Sequence, residues 1–312
     1  MKNNKQTENK RIICPNCNSN YIIKRGFRKT ENRGLIQRYF CQSCKHRFVE
    51  DDGFFRMRNT PQKITQSIDL FYRGVSTRKV QEHLAIFHPH NASNVSIYNW
   101  VVKYARMINK FTNRLKVRVS EEVQVDEMEF HRRKHHKKKI GAEKNWFVDS
   151  IDPDTRFLIA SGYSKNRGRK EIKAVVQNIK DKTDNQIKVM TTDGWRAYTH
   201  MKKVFGYNLK THQYNVIHNK VTASKGQGFN HPIERLHNGV RARLKVMRGF
   251  HGSIRSADSI LKGFEVYYNF ITKHQAIKCC PYELAIPELK EPLGESKNKW
   301  LKLIYLTKEA YL

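Results

Sequence analysis

Two aspartates and a glutamate carry the clearest chemistry in this sequence. Asp126 follows the apolar run VQV at 123–125, and Asp193 follows IKVMTT at 187–192. Both runs have the character of strands, so both acids fall where a sheet exposes functional groups, beyond its strand tips. Two carboxylates from neighbouring strand ends suit hard divalent cations, as phosphoryl-transfer sites use with magnesium. Glu234 opens the segment HPIERLHNGVRARLKVMR. As a helix, this segment turns Ile233, Leu236, Val240, Leu244 and Met247 inward, while Glu234, Asn238, Arg241, Lys245 and Arg248 lie about 100° around the wheel. A lone carboxylate beside cations is ordinarily a surface ion pair worth under about 1 kcal/mol. An acidic metal site beside a cationic ladder is, however, what a nucleic-acid phosphate needs. Other acids compete: Glu127 and Glu129 adjoin Asp126, and Asp149 and Asp152 lie on the next hairpin. Glu129 is the substitute ligand to test, because a one-residue shift in a strand reverses the facing of its side chains.

Cysteine supplies a second kind of metal chemistry. Of six cysteines, four fall as Cys14-x-x-Cys17 and Cys41-x-x-Cys44. Each pair can set two thiolates on one side of a tight turn, and two such turns give the four sulfur ligands of zinc. Four sulfurs close the coordination shell, so this zinc is expected to be structural. The intervening YIIKRGFRKTENRGLIQRYF has short β-type runs and a polar turn, the pattern of a zinc ribbon over 12–49. Such a unit is too small to be stable without its metal. Lys24, Arg25, Arg28, Lys29, Arg33 and Arg38 make it basic and fit for a DNA or RNA contact. Disulfides are the alternative, but the chain reads as intracellular, where thiols stay reduced. Cys279 and Cys280 read as plain buried or loop thiols.

The elements that must position these groups follow from periodicity and caps. Residues 60–116 read as three helices. Pro61 begins the first, which runs through Ile64, Ile68, Leu70 and Phe71 and ends at Gly74. Ser76 caps the second, with Val80 and Leu84 on one face. Ser93 caps the third, with Val95, Ile97, Trp100, Val101, Tyr104 and Ile108 as inner positions. Three helices with a Gly-containing turn suggest a helix-turn-helix unit, whose third helix would offer Ser96, Tyr98, Asn99 and Lys103 to DNA; a plain helical connector is the alternative. Over 119–287 the pattern changes. VQVDEMEF, NWFVDSI and RFLIASGYS are strands, the last two a hairpin turned by Asp152, Pro153 and Asp154. RKEIKAVVQNIKDK is an amphipathic helix and IKVMTTDGW another strand. A basic, less patterned stretch at 210–229 leads to the helix that starts near Pro232. This order gives a mixed α/β domain. Residues 288–312 are expected to form a helical tail.

Lys and Arg number 60 against 28 Asp and Glu, a formal net charge of +32. A surplus this large repels itself in a compact state unless a polyanion balances it: DNA, RNA or an anionic membrane. Solubility alone needs far less charge. No run of about eighteen apolar residues is present to cross a membrane. The polar start MKNNKQTENKR leads into no signal core, so a cytoplasmic, nucleoid-associated protein is expected. No Walker loop, dinucleotide fingerprint or Ser/His/Asp arrangement supports an NTPase, dehydrogenase or hydrolase. The run HRRKHHKKK at 131–139 reads as a solvated loop that meets phosphates rather than as a histidine metal site.

In order along one chain, these motifs resemble the DDE transposases of bacterial and archaeal insertion sequences. The likeness spans 12–287 and includes VDE at 125–127, TDGWRAY at 192–198 and HPIERLHNGVRARLK at 231–245. It continues through RGFHGSIRSA at 248–257, YYNFITKHQAI at 267–277 and PYELA at 281–285. Arg241, seven residues after Glu234, matches a basic position that the family uses near the cleaved strand. The resemblance implies an α/β fold: an RNase H-like mixed sheet flanked by helices, preceded by the zinc ribbon and the helix-turn-helix domain. It implies Mg2+ or Mn2+ held by Asp126, Asp193 and Glu234, with structural Zn2+ in the ribbon. It further implies cleavage and strand transfer at inverted-repeat element ends and target DNA, by a homodimer or larger assembly. Arg241 and Lys245 would position the phosphate backbone. Trp195 would stack on a flipped base or simply fill the core, and His274 would approach the site or make a structural bond. Forty residues separate Asp193 and Glu234, more than in the family's commonest pattern, and the excess falls in 210–229. Two rivals stay open: a non-catalytic, transposase-derived DNA-binding regulator, and an RNase H-like nuclease or resolvase that cuts without joining.

Overall fold

The computed structural model describes residues 12–31, 33–88, 92–136, 139–221, 231–245, 250, 252–294 and 296–310. The chain divides into two compact units, Met1–Ile64 and Thr65–Leu312. No helix among the described residues is long and apolar enough to cross a membrane.

The first unit is built on strands β1 (Ile22–Thr30), β2 (Gly34–Cys41) and β3 (Arg47–Val49), an antiparallel sheet in the order β1-β2-β3. Its two cysteine turns repeat one geometry. The residue after each second cysteine is left-handed, Asn18 at φ 55° and Lys45 at φ 62°. Each donates its N–H to the carbonyl of the first cysteine of its pair, at 2.9 Å in both cases. Cys14 and Cys41 in turn donate their N–H groups to Ser19 and His46 carbonyls, again at 2.9 Å. Matching turns bring all four sulfurs to one point. The sheet itself has little apolar core: Tyr21, Ile23, Phe27 and Leu35 are exposed, while Cys14 and Cys41 are fully buried. A metal held by the four sulfurs would substitute for the missing hydrophobic burial.

Three helices follow, α1 (Pro61–Tyr72), α2 (Thr77–Phe87) and α3 (Asn94–Thr112). Gly74, at φ 93°, makes the turn after α1. Ser76 and Ser93 cap α2 and α3, accepting from the N–H groups of Lys79 and Ser96. Such caps are each worth about 1 kcal/mol. Along α3 the buried positions are Ile97, Trp100, Val101, Tyr104, Ala105 and Ile108. Val95 departs from the expected inner stripe and is 62% exposed, because it sits in the first turn, one step outside the packed face.

The central sheet collects β4 (Glu122–Glu129), β7 (Trp146–Ile151), β8 (Leu158–Ser164), β9 (Val189–Thr192) and β12 (Ile217–Lys220) in the order β12-β9-β4-β7-β8. Pairs β4–β7 and β7–β8 are antiparallel; β4–β9 and β9–β12 are parallel. Between β4 and β7, the hairpin β5 (Arg132–His136) and β6 (Lys139–Glu143) occupies the cationic run expected to be a loop. Its backbone pairs regularly, and Arg132 donates to the Gly252 carbonyl at 2.8 Å. Helix α4 (Arg169–Lys182) leads into β9, and the short strands β10 (Tyr207–Asn208) and β11 (Gln213–Tyr214) precede β12. The less patterned stretch at 210–229 contains the sheet's edge strand β12; residues 222–229 lie outside the described residues. Helix α5 (His231–Leu244) packs on β4 and β7, and α6 (Ile254–Val266) packs on β8 and α3. A π-helical turn at Tyr267–Ile271 follows, then α7 (Tyr282–Ala285), α8 (Lys290–Gly294) and α9 (Lys299–Glu309). This is the mixed sheet with flanking helices expected of the α/β class.

Two polar devices lock helices to the sheet. Asn269 in the π turn clamps β8, accepting from Leu158 N–H at 2.9 Å and donating to Leu158 C=O at 2.8 Å. Lys182, Lys262, Ser161 and Glu265 form a buried network, in which Ser161 donates to Glu265 at 2.9 Å. Burial alone would raise the Glu265 carboxyl, but Lys262 and Lys182 outweigh it and hold the group low.

Candidate active site

The sheet register brings the acids together. β4 and β9 run parallel with Gln124 opposite Thr191, so Asp126 and Asp193 emerge beside each other two residues further on. β7 runs antiparallel on the other side and sets Asp149 directly across from Asp126. Asp126, Glu127 and Asp193 each offer an oxygen such that all three atoms lie within 4.8 Å of one another. Asp126, 22% exposed, accepts from the Glu127 N–H at 2.8 Å. Burial pushes its carboxyl up to about 7; His237 pulls it down in part, while Asp149 and Glu127 push it further up. Acids gathered in one place repel one another, which a hard divalent cation relieves, and oxygen donors are what it prefers. The residues present therefore fit a magnesium or manganese ion.

Glu127 is not a free ligand. Its side chain is 2% exposed, and its oxygens accept from the Tyr198 hydroxyl at 2.5 Å and Arg167 Nη1 at 3.0 Å. The Arg167 guanidinium also lies over two indoles, 4.2 Å from the Trp146 centroid and 4.0 Å from that of Trp195. Asp193 accepts from the Trp195 N–H at 2.8 Å, a turn that fixes the tryptophan two residues from the acid. Trp195 is neither core nor free: it is 38% exposed and stacked by Arg167.

Behind Asp126 lies a histidine that no sequence motif singled out. His237 of α5 donates from Nε2 to Asp149 Oδ1 at 2.7 Å, and its Nδ1 is 3.6 Å from Asp126 Oδ2. Burial would lower the imidazole, but Asp149 and then Asp126 hold it above its ordinary value. A signal is nonetheless present in the sequence: a histidine inside the apolar stripe of α5, and an aspartate inside the apolar strand WFVDSI.

Glu234 lies one turn before His237 on α5, where its side chain is 49% exposed and its Oε2 is 3.8 Å from His231 Nδ1. It does not join the Asp126–Glu127–Asp193 cluster. Arg241 and Lys245 are exposed on the same helix side, and Met247 and Arg248 lie outside the described residues. Glu129 pairs instead with His131 at 2.9 Å and Lys144 at 3.3 Å. Asp152 is consumed by its turn, accepting from Ser120 Oγ and Thr155 Oγ1 at 2.5 Å each. His274 stacks edge-on against Tyr268 at 4.3 Å. On α3, Asn99 and Lys103 are exposed, Ser96 is half-buried beside its cap, and the Tyr98 hydroxyl is hydrogen-bonded with Ser256.

In the ribbon, Cys14 Sγ is 3.5 Å from Cys44 Sγ, and Cys17 Sγ is 3.6 Å from Cys41 Sγ. Four sulfurs placed ~2.3 Å from a central zinc would lie ~3.8 Å apart, so the four thiols fit that ion. The Cys44 N–H holds the Cys41 thiol low, and Asn16 lowers Cys44 to about 6.

Residues 138–275 match the family model of the DDE domain, which supports a DDE transposase of an insertion sequence. The matched segment holds Asp193, Glu234 and Arg241, and begins after Asp126. No curated protein matches the chain.

Proposed function

We propose that this chain, whose DDE domain supports an insertion-sequence transposase, binds the ends of its element and catalyses metal-dependent strand cleavage followed by strand transfer. The observation that carries the reading is the convergence of Asp126 and Asp193 from adjacent parallel strands beside the helix that bears Glu234. Two bound divalent cations would supply the Lewis acidity that activates water or a 3′-hydroxyl and stabilises the leaving oxygen. Asp126 and Asp193 are the groups to hold them, with Glu234 completing the set from α5. Arg241 and Lys245, exposed on the same helix, hold the phosphate backbone electrostatically. Asn99 and Lys103, with Ser96 and Tyr98 nearby, form the recognition face of a helix-turn-helix unit over 60–116. Cys14, Cys17, Cys41 and Cys44 hold structural zinc in the ribbon, 12–49. On this division the catalytic domain is 119–287 and the tail 288–312. The partners are element ends and target DNA in the cytoplasm, paired by a dimer or larger assembly.

The test is a magnesium-dependent assay on DNA flanking the gene, labelled at both element ends. Joined products are expected with the native protein and are lost in Asp126→Ala, Asp193→Ala and Glu234→Ala proteins that still bind DNA. Binding without cutting would mark a regulator, and cutting without joining a nuclease. Normal turnover in Glu234→Ala would remove that residue from the site.

A further inference from the structure

Asp149 poses a problem that fold stability does not answer. It is fully buried, its Oδ1 is bound by His237, and its Oδ2 has no hydrogen-bond partner among the described residues. A buried pair is often replaced, both members together, by apolar side chains at no loss of stability, so stability alone gives no reason for the Asp149–His237 pair. The geometry gives one. Asp149 stands across the β4–β7 pair from Asp126, and His237 reaches from one carboxylate to the other. An imidazole fixed by one carboxylate and turned toward a second is the arrangement by which outer groups orient a metal ligand. His237 also lies one helical turn after Glu234, so whatever seats His237 sets the roll and height of the start of α5.

We infer that His237, anchored by Asp149, is a positioning residue for the acidic site: it orients the Asp126 carboxylate toward a divalent cation and pins Glu234's helix against β4. The inference rests on the metal-site reading above.

The test is Mn2+ binding by the full-length protein, followed by the electron paramagnetic resonance of free Mn2+, alongside thermal melting by circular dichroism. Asp126→Ala and Asp193→Ala are the reference for loss of the site. His237→Ala and Asp149→Ala are expected to weaken Mn2+ binding by about 10–100-fold while folded, the cost typical of removing an outer-shell partner. His237→Gln, which retains a donor toward Asp149, is expected to recover most of the affinity. If His237→Ala does not fold, the paired variant Asp149→Leu/His237→Leu takes its place, since removing both partners leaves no buried charge unpaired. It is expected to fold and to bind Mn2+ as weakly as His237→Ala should. A lowered melting temperature with native Mn2+ affinity, in either variant, overturns the inference and leaves the metal site standing. Native Mn2+ affinity in Asp126→Ala and Asp193→Ala overturns the metal site itself, and this inference with it.

Discussion

Glu127 and Asp126 are neighbours in sequence with different duties. Asp126 keeps part of its surface in solvent and carries a carboxyl raised to about 7, whereas Glu127 is spent on Tyr198 and Arg167. Proximity alone would make Glu127 the third ligand, since its oxygen lies with those of Asp126 and Asp193. Its partners argue otherwise. Two charge-assisted or short hydrogen bonds hold the carboxylate, and Arg167 is itself sandwiched by Trp146 and Trp195. Glu127 thus ties the Asp193 turn to β4. Glu127→Gln is expected to cost about 1.5–3 kcal/mol of stability, the worth of a hydrogen bond to a charged group. Mn2+ affinity should stay close to native. Calorimetric unfolding and Mn2+ titration of the same variant decide the matter: an affinity loss equal to that of Asp126→Ala would make Glu127 a ligand.

At the scale of elements, the close approach of α6 to α1 and α3 depends on one small residue. A Cβ at Gly263 would lie 1.9 Å from Tyr72 Oη and 2.7 Å from Ala105 Cβ. The Tyr72 hydroxyl cannot simply move aside, because it is buried and donates to the Ile260 carbonyl at 3.1 Å. Gly263→Ala is therefore expected to destabilise the protein by about 1–3 kcal/mol through overpacking, read as a lower urea midpoint with an unchanged slope. A midpoint equal to native would mean the helices part without cost. This crossing is not legible in the sequence, because a glycine inside a helix looks like a weak position rather than a point of close approach. What is legible are the elements with local signals: the Ser76 and Ser93 caps, the Gly74 turn, the Asp152 turn and the apolar stripes of α3 and α5. Strand β12 escapes because it is an edge strand whose side chains, Ile217 included, are half-buried or exposed, so no alternation marks it. Asp126 and Asp193 can be singled out because each follows an apolar run, but only Asp193 lies beyond its strand. Asp126 sits inside β4, which continues through Glu129 because Glu127, Met128 and Glu129 keep pairing with β7. Asp149 and His237 cannot be paired from sequence, because only the antiparallel register of β4 with β7 and the seating of α5 bring them together.

For the whole molecule, the net charge of +32 makes salt the sharpest probe of the proposed DNA binding. The charge is not confined to the acidic site's surroundings. In the first unit a cleft of about 710 Å³ carries the cations Arg28, Lys29, Arg56 and Arg58 and the exposed ring of Phe55, in excess of the carboxylates Glu31, Glu50 and Asp52 that line it with Arg33. These groups are displayed by a unit with little apolar core, which the zinc proposed for its four cysteines would hold together. Removing the metal should disperse them. Binding to phosphates releases counterions, and a protein that engages 6–10 of them loses about 10³–10⁵ in affinity between 50 and 200 mM salt. The intact protein is expected in that range. After chelation, with zinc loss verified by metal analysis, DNA affinity at low salt should fall. The slope of log K against log salt should also become shallower, by about 0.9 for each phosphate that the ribbon no longer neutralises. Both changes have the same cause, the dispersal of the ribbon's cations, so they must appear together. A weakened affinity with an unchanged slope would mean that the ribbon acts on DNA binding indirectly. If both were unchanged, the ribbon's cations would serve a partner other than DNA.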